Sequence, residues 1–210
     1  HNESLLAKAR CLTHEGITAY MLTGSYEIPL HNMTGDVRRD IILINECLGI
    51  GEVALSDHRS SQPTREELEK VLTQARLGGM LSGKAGVVQF HMGVGKRGMD
   101  VLLAIVKETE IPARHFIPTH VNRAFHLFEQ AKEFARLGGY VDITSGIREQ
   151  DGFPACVKPS DAIKILYEEG VPLDRITMSS DANGCMSVTL PDGRQKQLAV
   201  SPDSFQEEVK

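Results

Sequence analysis

Short apolar segments alternate with helical segments along this chain, and this alternation constrains the fold more than any other feature of the sequence. Strands that are apolar on both faces are typical of parallel sheets covered by helices. The pattern therefore predicts βαβ units and an α/β fold. We predict six strands, over residues 17–23, 52–57, 86–91, 115–120, 140–145 and 175–181.

Helices are predicted between these strands, and local signals set some of their ends. Thr64 is a candidate N-cap, and Gly78-Gly79 predicts the end of the same helix. Ser160 is the candidate N-cap of a later helix. The predicted helices cover residues 3–15, 36–48, 64–77, 97–109, 124–137 and 160–169.

The strand count predicts only part of a barrel. A closed (β/α)8 barrel of the TIM type has eight strands and about 250 residues, whereas this chain has 210 residues. An open six-stranded sheet would leave two unpaired edges. We therefore expect residues 1–210 to be a partial barrel catalytic domain that holds the third to eighth strands. The N-terminal strands and a C-terminal segment are expected to be absent, because the chain opens on a helix and residues 204–210 resemble an interrupted one.

Charge and composition exclude several classes of function. The formal net charge of −5 gives no basic field for nucleic acid. No apolar run reaches the roughly 20 residues that cross a membrane, and no signal peptide is evident. The four cysteines show no C-x-x-C spacing, which favours the reducing cytoplasm. We expect a cytoplasmic protein with a small-molecule substrate and no membrane partner.

Three candidate metal ligands follow predicted strands. His91 and His120 end two successive strands, and Asp181 ends the last one. In a parallel barrel the strand ends meet at one rim, and two imidazoles with a carboxylate are a ligand set for zinc or a similar ion. Each residue also has a structural interpretation, because strand-end histidines are commonly structural and Asp-x-Asn-Gly is typical of a turn.

Five short motifs in this order resemble the isoaspartyl dipeptidases, which are binuclear zinc peptidases of the amidohydrolase superfamily. The resemblance extends over essentially the whole chain, and Pro-Thr-His-Val-Asn-Arg is its most specific part. The motifs are Thr23-Gly24-Ser25-Tyr26, Ser56-Asp57-His58-Arg59, Phe90-His91-Met92-Gly93, Pro118-Thr119-His120-Val121-Asn122-Arg123 and Ser179-Ser180-Asp181-Ala182-Asn183-Gly184.

The resemblance implies two divalent metal ions, with zinc as the expected metal. His91 and His120 match the histidines that bind the second ion, and Asp181 matches the aspartate that binds the first ion and transfers the proton. Glu52 stands where well-known members have a carbamylated lysine that bridges both ions. Glutamate bridges the metals in other amidohydrolases, so we expect Glu52 to be a ligand; the alternative is that it only contacts the ligands.

Four further residues match positions near the substrate. Tyr26 matches the tyrosine that polarises the scissile carbonyl, and Arg59 and Arg123 match the arginines that hold carboxylates of the substrate. Guanidinium groups suit this role because they bind carboxylates in a bidentate manner. Cys185 stands where a serine near the substrate is expected.

The resemblance implies hydrolysis of β-aspartyl dipeptides by a metal-activated water, in a protein that forms homo-oligomers. One alternative is another amidohydrolase, such as a dihydroorotase-like enzyme that cleaves cyclic amides or acyl-amino acids. A second alternative is an inactive truncated barrel with an incomplete metal site. Assays of β-linked dipeptides against cyclic amides distinguish these activities.

Overall fold

The fold is α/β, and the chain divides into two compact units, His1–Ile117 and Pro118–Lys210. The computed structural model describes residues 1–189 and 193–208. Parallel strands alternate with helices in both units, as the sequence predicts, and all six predicted strands are present. The complete eight-stranded barrel stays a prediction.

The first unit is built on a sheet whose strands follow chain order, β1-β2-β3-β4. The pairs β1-β2 and β2-β3 are parallel, and the last two residues of β4 belong to the second unit. Its core holds Ile50, Leu72 and Phe90, none of which is exposed to solvent. Residues Ala113–His115 form a 3-10 turn before β4. The strands are β1 (Met21–Thr23), β2 (Cys47–Leu55), β3 (Val87–Met92) and β4 (Phe116–Thr119), and the helices are α1 (Asn2–His14), α2 (Val37–Leu43), α3 (Arg65–Ser82) and α4 (Asp100–Glu108).

Strand β2 begins five residues earlier than predicted, and α2 ends five residues earlier. Helix α2 stops because Lys84 Nζ donates hydrogen bonds to the carbonyl oxygens of Ile41 and Ile44, at 2.6 and 2.5 Å. The early part of β2 can lie against β3 only because residue 49 is a glycine. A Cβ atom at Gly49 would lie 2.2 Å from the carbonyl oxygen of Val87 on β3.

Helix α3 begins as predicted and ends later than predicted. Thr64 and Glu67 form a capping box at its start. The helix ends at Ser82 and its C-cap is Gly83 in the left-handed conformation, so the prediction that Gly78-Gly79 ends the helix was wrong. Residue 79 lies inside the helix and is a glycine because the chain passes very close to it. A Cβ atom there would lie 2.6 Å from Cα of Gly86.

The second unit contains a parallel pair, β5-β6, and an antiparallel pair, β7-β8, that the sequence analysis did not predict. The segment Leu190-Pro191-Asp192-Gly193-Arg194 is hairpin-like in sequence, and its first three residues lie outside the described residues. The elements are α5 (Phe125–Arg136), β5 (Val141–Thr144), α6 (Pro159–Glu168), β6 (Ile176–Ser179), β7 (Cys185–Thr189), β8 (Gln195–Ala199) and α7 (Ser204–Glu208), with 3-10 turns at Glu149–Asp151 and Leu173–Arg175.

Helix α6 starts one residue before the predicted N-cap. Lys158 is the N-cap and Pro159 is the first helical residue, so the assignment of Ser160 was wrong. Proline is favoured at this position because its ring fixes a helical φ, and the N–H that it lacks would have no acceptor within the helix. Among the described residues, no helix has the length and hydropathy needed to cross a bilayer.

Candidate metal centre

In the first unit, three predicted site residues lie around the ring of a fourth, His91. His91 is the penultimate residue of β3, and Glu52 lies in the neighbouring strand β2. Tyr26 and Arg59 lie in the loops that follow β1 and β2. The parallel register pairs Ala54 with His91, and this places the Glu52 side chain beside the imidazole.

The two ring nitrogens of His91 have different surroundings. The residue is 3% exposed. Nδ1 lies 3.2 Å from Glu52 Oε2 and 3.0 Å from the Tyr26 hydroxyl oxygen. Nε2 lies 2.9 Å from Arg59 Nη2 and 3.4 Å from Asp57 Oδ2. One nitrogen therefore faces a carboxylate and a phenol, and the other faces an arginine–aspartate pair.

The Glu52–His91 pair fits a metal site. Two ligands that each lie about 2.1 Å from one tetrahedral ion are separated by roughly 3.4 Å, and Oε2 of Glu52 lies 3.2 Å from Nδ1 of His91. The Glu52 side chain keeps 24% of its surface exposed, so the carboxylate is accessible. Nδ1 is thus the nitrogen of His91 that is placed to bind an ion.

Arg59 and Asp57 form a forked ion pair beside this ring. Asp57 Oδ1 accepts from the backbone N–H and Nε of Arg59 at 2.8 and 2.9 Å, and Oδ2 accepts from Nη2 at 3.1 Å. Burial opposes the charge of Asp57, but hydrogen bonds from Arg59 outweigh it and hold the pKa of this carboxyl well below its usual range. The guanidinium carbon also lies 5.1 Å from the centre of the Tyr26 ring.

The loop that carries Tyr26 is held by a buried carboxylate. Asp40 on α2 is fully buried. Its Oδ2 accepts from the Thr23 hydroxyl at 2.5 Å and the Met33 backbone N–H at 2.9 Å. Its Oδ1 accepts from the backbone N–H and the hydroxyl of Thr34, at 2.9 and 2.7 Å. Both ends of the loop are therefore fixed, and the Tyr26 ring has a defined position against His91, with centroids 4.8 Å apart.

In the second unit, His120 directly follows β4 and is buried. Its Nδ1 lies 2.7 Å from the Thr144 hydroxyl oxygen, at the end of β5. Asn122 is also buried: its amide nitrogen donates to the carbonyl oxygen of Thr144 at 3.1 Å, and its amide oxygen accepts from the Thr144 N–H at 2.9 Å. These contacts explain the His-Val-Asn part of the motif, because Thr144 orients the ring and Asn122 holds Thr144.

The other predicted site residues of this unit lie in loops or at a strand start. Arg123 is 7% exposed, and its guanidinium carbon lies 5.5 Å from the centre of the Phe153 ring. Asp181 lies two residues after β6, and its carbonyl oxygen accepts from Gly184 N–H, so the predicted turn is present. Cys185 is exposed at the start of β7, and its Sγ lies 3.0 Å from Gln197 Oε1. Their catalytic and binding roles stay predictions.

Two neighbours of the site were not predicted. Asp57 is part of the Ser-Asp-His-Arg motif, and only its neighbour Arg59 was given a role. Phe153 lies in an irregular loop where no sequence pattern indicates a contact with Arg123. The position of Asp57, two residues after the end of β2, could have identified it, because polar side chains just past a strand end face the same edge as the site.

Solved structures of β-aspartyl dipeptidase are similar to this chain, whereas no protein-family model matches it. The enzyme from the thermophilic keratin degrader Fervidobacterium islandicum AW-1, in complex with a β-Asp-Leu dipeptide, shares 43% identity over 99% of this chain and has a TM-score of 0.88. A second structure of the enzyme from that organism shares 48% identity over 86% of this chain, with a TM-score of 0.79. This chain spans about half of their length, 53% and 47%. The resemblance predicted from the motifs is thereby confirmed: in sequence and fold, these 210 residues are related to the β-aspartyl dipeptidases.

Proposed function

We propose that the protein hydrolyses β-aspartyl dipeptides and requires metal ions to do so. The observation that carries this proposal is the group of Tyr26, Glu52, Arg59 and His91 in a chain that is 43% identical to a structure holding β-Asp-Leu. A phenol, a carboxylate and an imidazole beside an arginine suit amide hydrolysis of a carboxylate-bearing substrate.

The proposed metal ligands are Glu52, His91, His120 and Asp181, with zinc as the expected metal and two ions as the expected number. Within the first unit, Glu52 and His91 support this proposal, because Oε2 and Nδ1 lie 3.2 Å apart. When bound, the metal would supply an activated water near neutral pH and polarise the carbonyl. Of the two nitrogens of His91, Nδ1 is proposed as the ligand because it faces Glu52.

The other residues bind the substrate and move its protons. Arg59 and Arg123 would hold the carboxylates of the dipeptide through their N–H donors. Tyr26 would donate its hydroxyl hydrogen to the carbonyl oxygen, on which negative charge develops. Asp181 would accept a proton from the attacking water and deliver it to the leaving nitrogen as the C–N bond breaks. Cys185 is proposed to contact the substrate.

We also propose the fold, the assembly and the location of the whole protein. Residues 1–210 would form part of the catalytic domain of a TIM-type (β/α)8 barrel, in a homo-oligomer that acts in the cytoplasm and takes a small dipeptide. The chain-order strands of the first unit and the likeness to β-aspartyl dipeptidases support the barrel. Light scattering of the purified protein measures the oligomeric state.

Substrate assays test the activity. Purified protein is given β-Asp-Leu, α-Asp-Leu, and cyclic amides or acyl-amino acids at equal concentration, and release of free amino acid or acid is measured. We expect β-Asp-Leu to be cleaved at least 100-fold faster, since the site would have to position an α-carboxylate that only the β-linked peptide offers. Preferential cleavage of a cyclic amide would support the dihydroorotase-like alternative, and no turnover of any substrate would support the inactive barrel.

Matched tyrosine variants test the catalytic group. Tyr26→Phe is expected to lower kcat by about 100-fold or more, because one oxyanion donor is lost. Tyr167→Phe is the control, since Tyr167 is exposed on α6. Equal activity of the two variants would remove Tyr26 from the mechanism.

Metal analysis tests the cofactor. Elemental mass spectrometry of the purified protein is expected to give two equivalents of zinc or a similar metal per chain. Dialysis against a chelator should abolish turnover, and added metal should restore it. Full activity with less than 0.1 equivalent of metal would contradict the proposal.

A further inference from the structure

Asp57 contacts both a proposed metal ligand and a proposed substrate-binding residue, and the proposed mechanism leaves it without a role. Its side chain is 8% exposed, against 42% for that of Arg59. Oδ1 is occupied by the backbone N–H and Nε of Arg59, whereas Oδ2 lies between Arg59 Nη2 and Nε2 of His91, at 3.1 and 3.4 Å. Asp57 therefore links the arginine to the histidine.

The two contacts of His91 Nε2 need opposite positions of the ring proton. An arginine N–H can only donate, so the 2.9 Å contact with Arg59 Nη2 uses the lone pair of Nε2 and places the proton on Nδ1, beside Glu52. A hydrogen bond to Asp57 Oδ2, which lies 3.4 Å away, would require the proton on Nε2. At Nε2, therefore, Arg59 suits one tautomer and Asp57 suits the other.

Metal binding is compatible with only one of these tautomers. An ion bound through Nδ1 occupies its lone pair, so the proton has to be on Nε2. The Arg59 N–H would then face another N–H, and Asp57 would be the acceptor. Ligand histidines commonly donate the proton of their second nitrogen to a carboxylate, which orients the ring and raises its basicity.

On the basis of the proposed metal site, we propose that Asp57 is a positioning residue that holds His91 in its metal-binding tautomer and Arg59 in its substrate-binding orientation. Asp57 Oδ2 accepts from Nε2–H, which leaves Nδ1 for the ion. The fork of Asp57 on Nε and Nη2 of Arg59 fixes the guanidinium plane and leaves Nη1 for a carboxylate of the substrate. One carboxylate would then couple loading of the ion to binding of the substrate.

Two variants with opposite expected effects test the inference. Asp57→Asn keeps the shape but places an N–H₂ donor where Oδ2 accepts, so it should favour the proton on Nδ1 and weaken cobalt(II) binding by about 10- to 100-fold. Arg59→Gln removes the competing donor at Nε2, so it should leave cobalt(II) affinity unchanged or higher while raising KM for β-Asp-Leu. Asp174→Asn, an exposed carboxylate on a 3-10 turn, is the matched control.

Two measurements that do not depend on turnover show how each variant affects metal binding and the His91 tautomer. Competition with a chelating indicator gives the cobalt(II) affinity, and nitrogen-15 NMR of the metal-free protein reports which nitrogen of His91 carries the proton. The inference is supported if Asp57→Asn raises the Nδ1–H population and Arg59→Gln raises the Nε2–H population. It is overturned if Asp57→Asn binds cobalt(II) as tightly as the native protein, or if the two variants shift the tautomer in the same direction.

The failure of the metal proposal would be visible separately. If the native protein binds no cobalt(II), the proposed function fails, but the NMR comparison of metal-free variants still tests the link from Asp57 to His91. If Asp57→Asn does not fold, the Arg59→Gln variant carries the test alone. An unchanged tautomer in that variant would then overturn the inference.

Discussion

Each unit has a buried carboxylate held by several hydrogen bonds, and the two differ in the kind of donor. Asp40 in the first unit accepts from two backbone N–H groups and two hydroxyls. Asp142 on β5 of the second unit accepts from three hydroxyls: those of Thr119 and Ser179 at 2.6 Å and that of Thr177 at 2.7 Å. Asp40 fixes a loop, whereas Asp142 connects the side chains of neighbouring strands.

The difference in donors determines how much stability the protein loses when asparagine replaces each aspartate. A hydroxyl can rotate and become an acceptor, whereas a backbone N–H can only donate. Each oxygen of Asp40 accepts one backbone N–H, so both oxygens have to remain acceptors. The described contacts of Asp142 would tolerate a donor on one side. Two buried aspartates that look equivalent in a burial profile are therefore under different constraints.

The largest expected effect in this comparison is that of Asp40→Asn. Whichever way the amide turns, its N–H₂ group meets a backbone N–H of Met33 or Thr34, and buried donors are left without acceptors. We expect the free energy of unfolding to fall by roughly 3 kcal/mol. Urea denaturation at pH 7.5 measures this. A loss below about 1 kcal/mol would mean that the loop adapts and that the backbone donors do not set the constraint.

The buried side chain of His115 also faces a backbone group with one fixed role, because a carbonyl oxygen can only accept a hydrogen bond. His115 is 6% exposed, and its Nδ1 lies 2.9 Å from the carbonyl oxygen of Gly86. Burial lowers the pKa of His115 below its usual value. The unfolded chain therefore takes up a proton that the folded ring resists, and the stability present above about pH 6.5 is lost as the pH falls below it.

The test of this pH effect uses His115→Asn, whose amide can donate to the carbonyl oxygen of Gly86 but does not titrate. Between pH 7.5 and 5.5 the native protein should lose more unfolding free energy than the variant, by at most about 1.4 kcal/mol per pH unit. The urea midpoints of both proteins at the two pH values give the difference. Parallel losses would show that other groups cause the pH dependence.

The smallest expected effect is that of Asp142→Asn. The amide can donate to the Thr177 hydroxyl, which then donates to the carbonyl oxygen of Val141, 3.4 Å away. The free energy of unfolding should fall by about 1 kcal/mol or less. A loss as large as that of Asp40→Asn, in the same urea experiment, would refute the role assigned to hydroxyl rotation.

The sequence predicted the parts of the structure that repeat a pattern. Alternating apolar strands and helices predicted the parallel α/β fold, and Thr64 with Glu67 marked the start of α3. These predictions of the fold and of the helix start succeeded because periodicity and capping are local properties of the chain. Tyr26 and Arg59 lie against the ring of His91, and their roles stay predictions.

The remaining features depend on contacts between distant segments. The early end of α2 requires Lys84, which lies 40 residues after Ile44. Asp40 and Asp142 look like ordinary polar residues of a helix and a strand, because their hydroxyl and amide partners are assembled only by folding. Asp57 escaped attention for a related reason: its link to His91 crosses 34 residues of sequence.

The close passage of Gly79 against Gly86 affects how relatives of this protein should be compared. Any side chain at residue 79 would meet backbone atoms at 2.6 to 2.8 Å, so natural selection is expected to retain glycine there for the sake of the fold alone. A search for functional residues by conservation would then rank this helix position beside true site residues. Variation at Asp57 and Arg59 among relatives that keep Gly79 would be the more useful guide to a change of substrate.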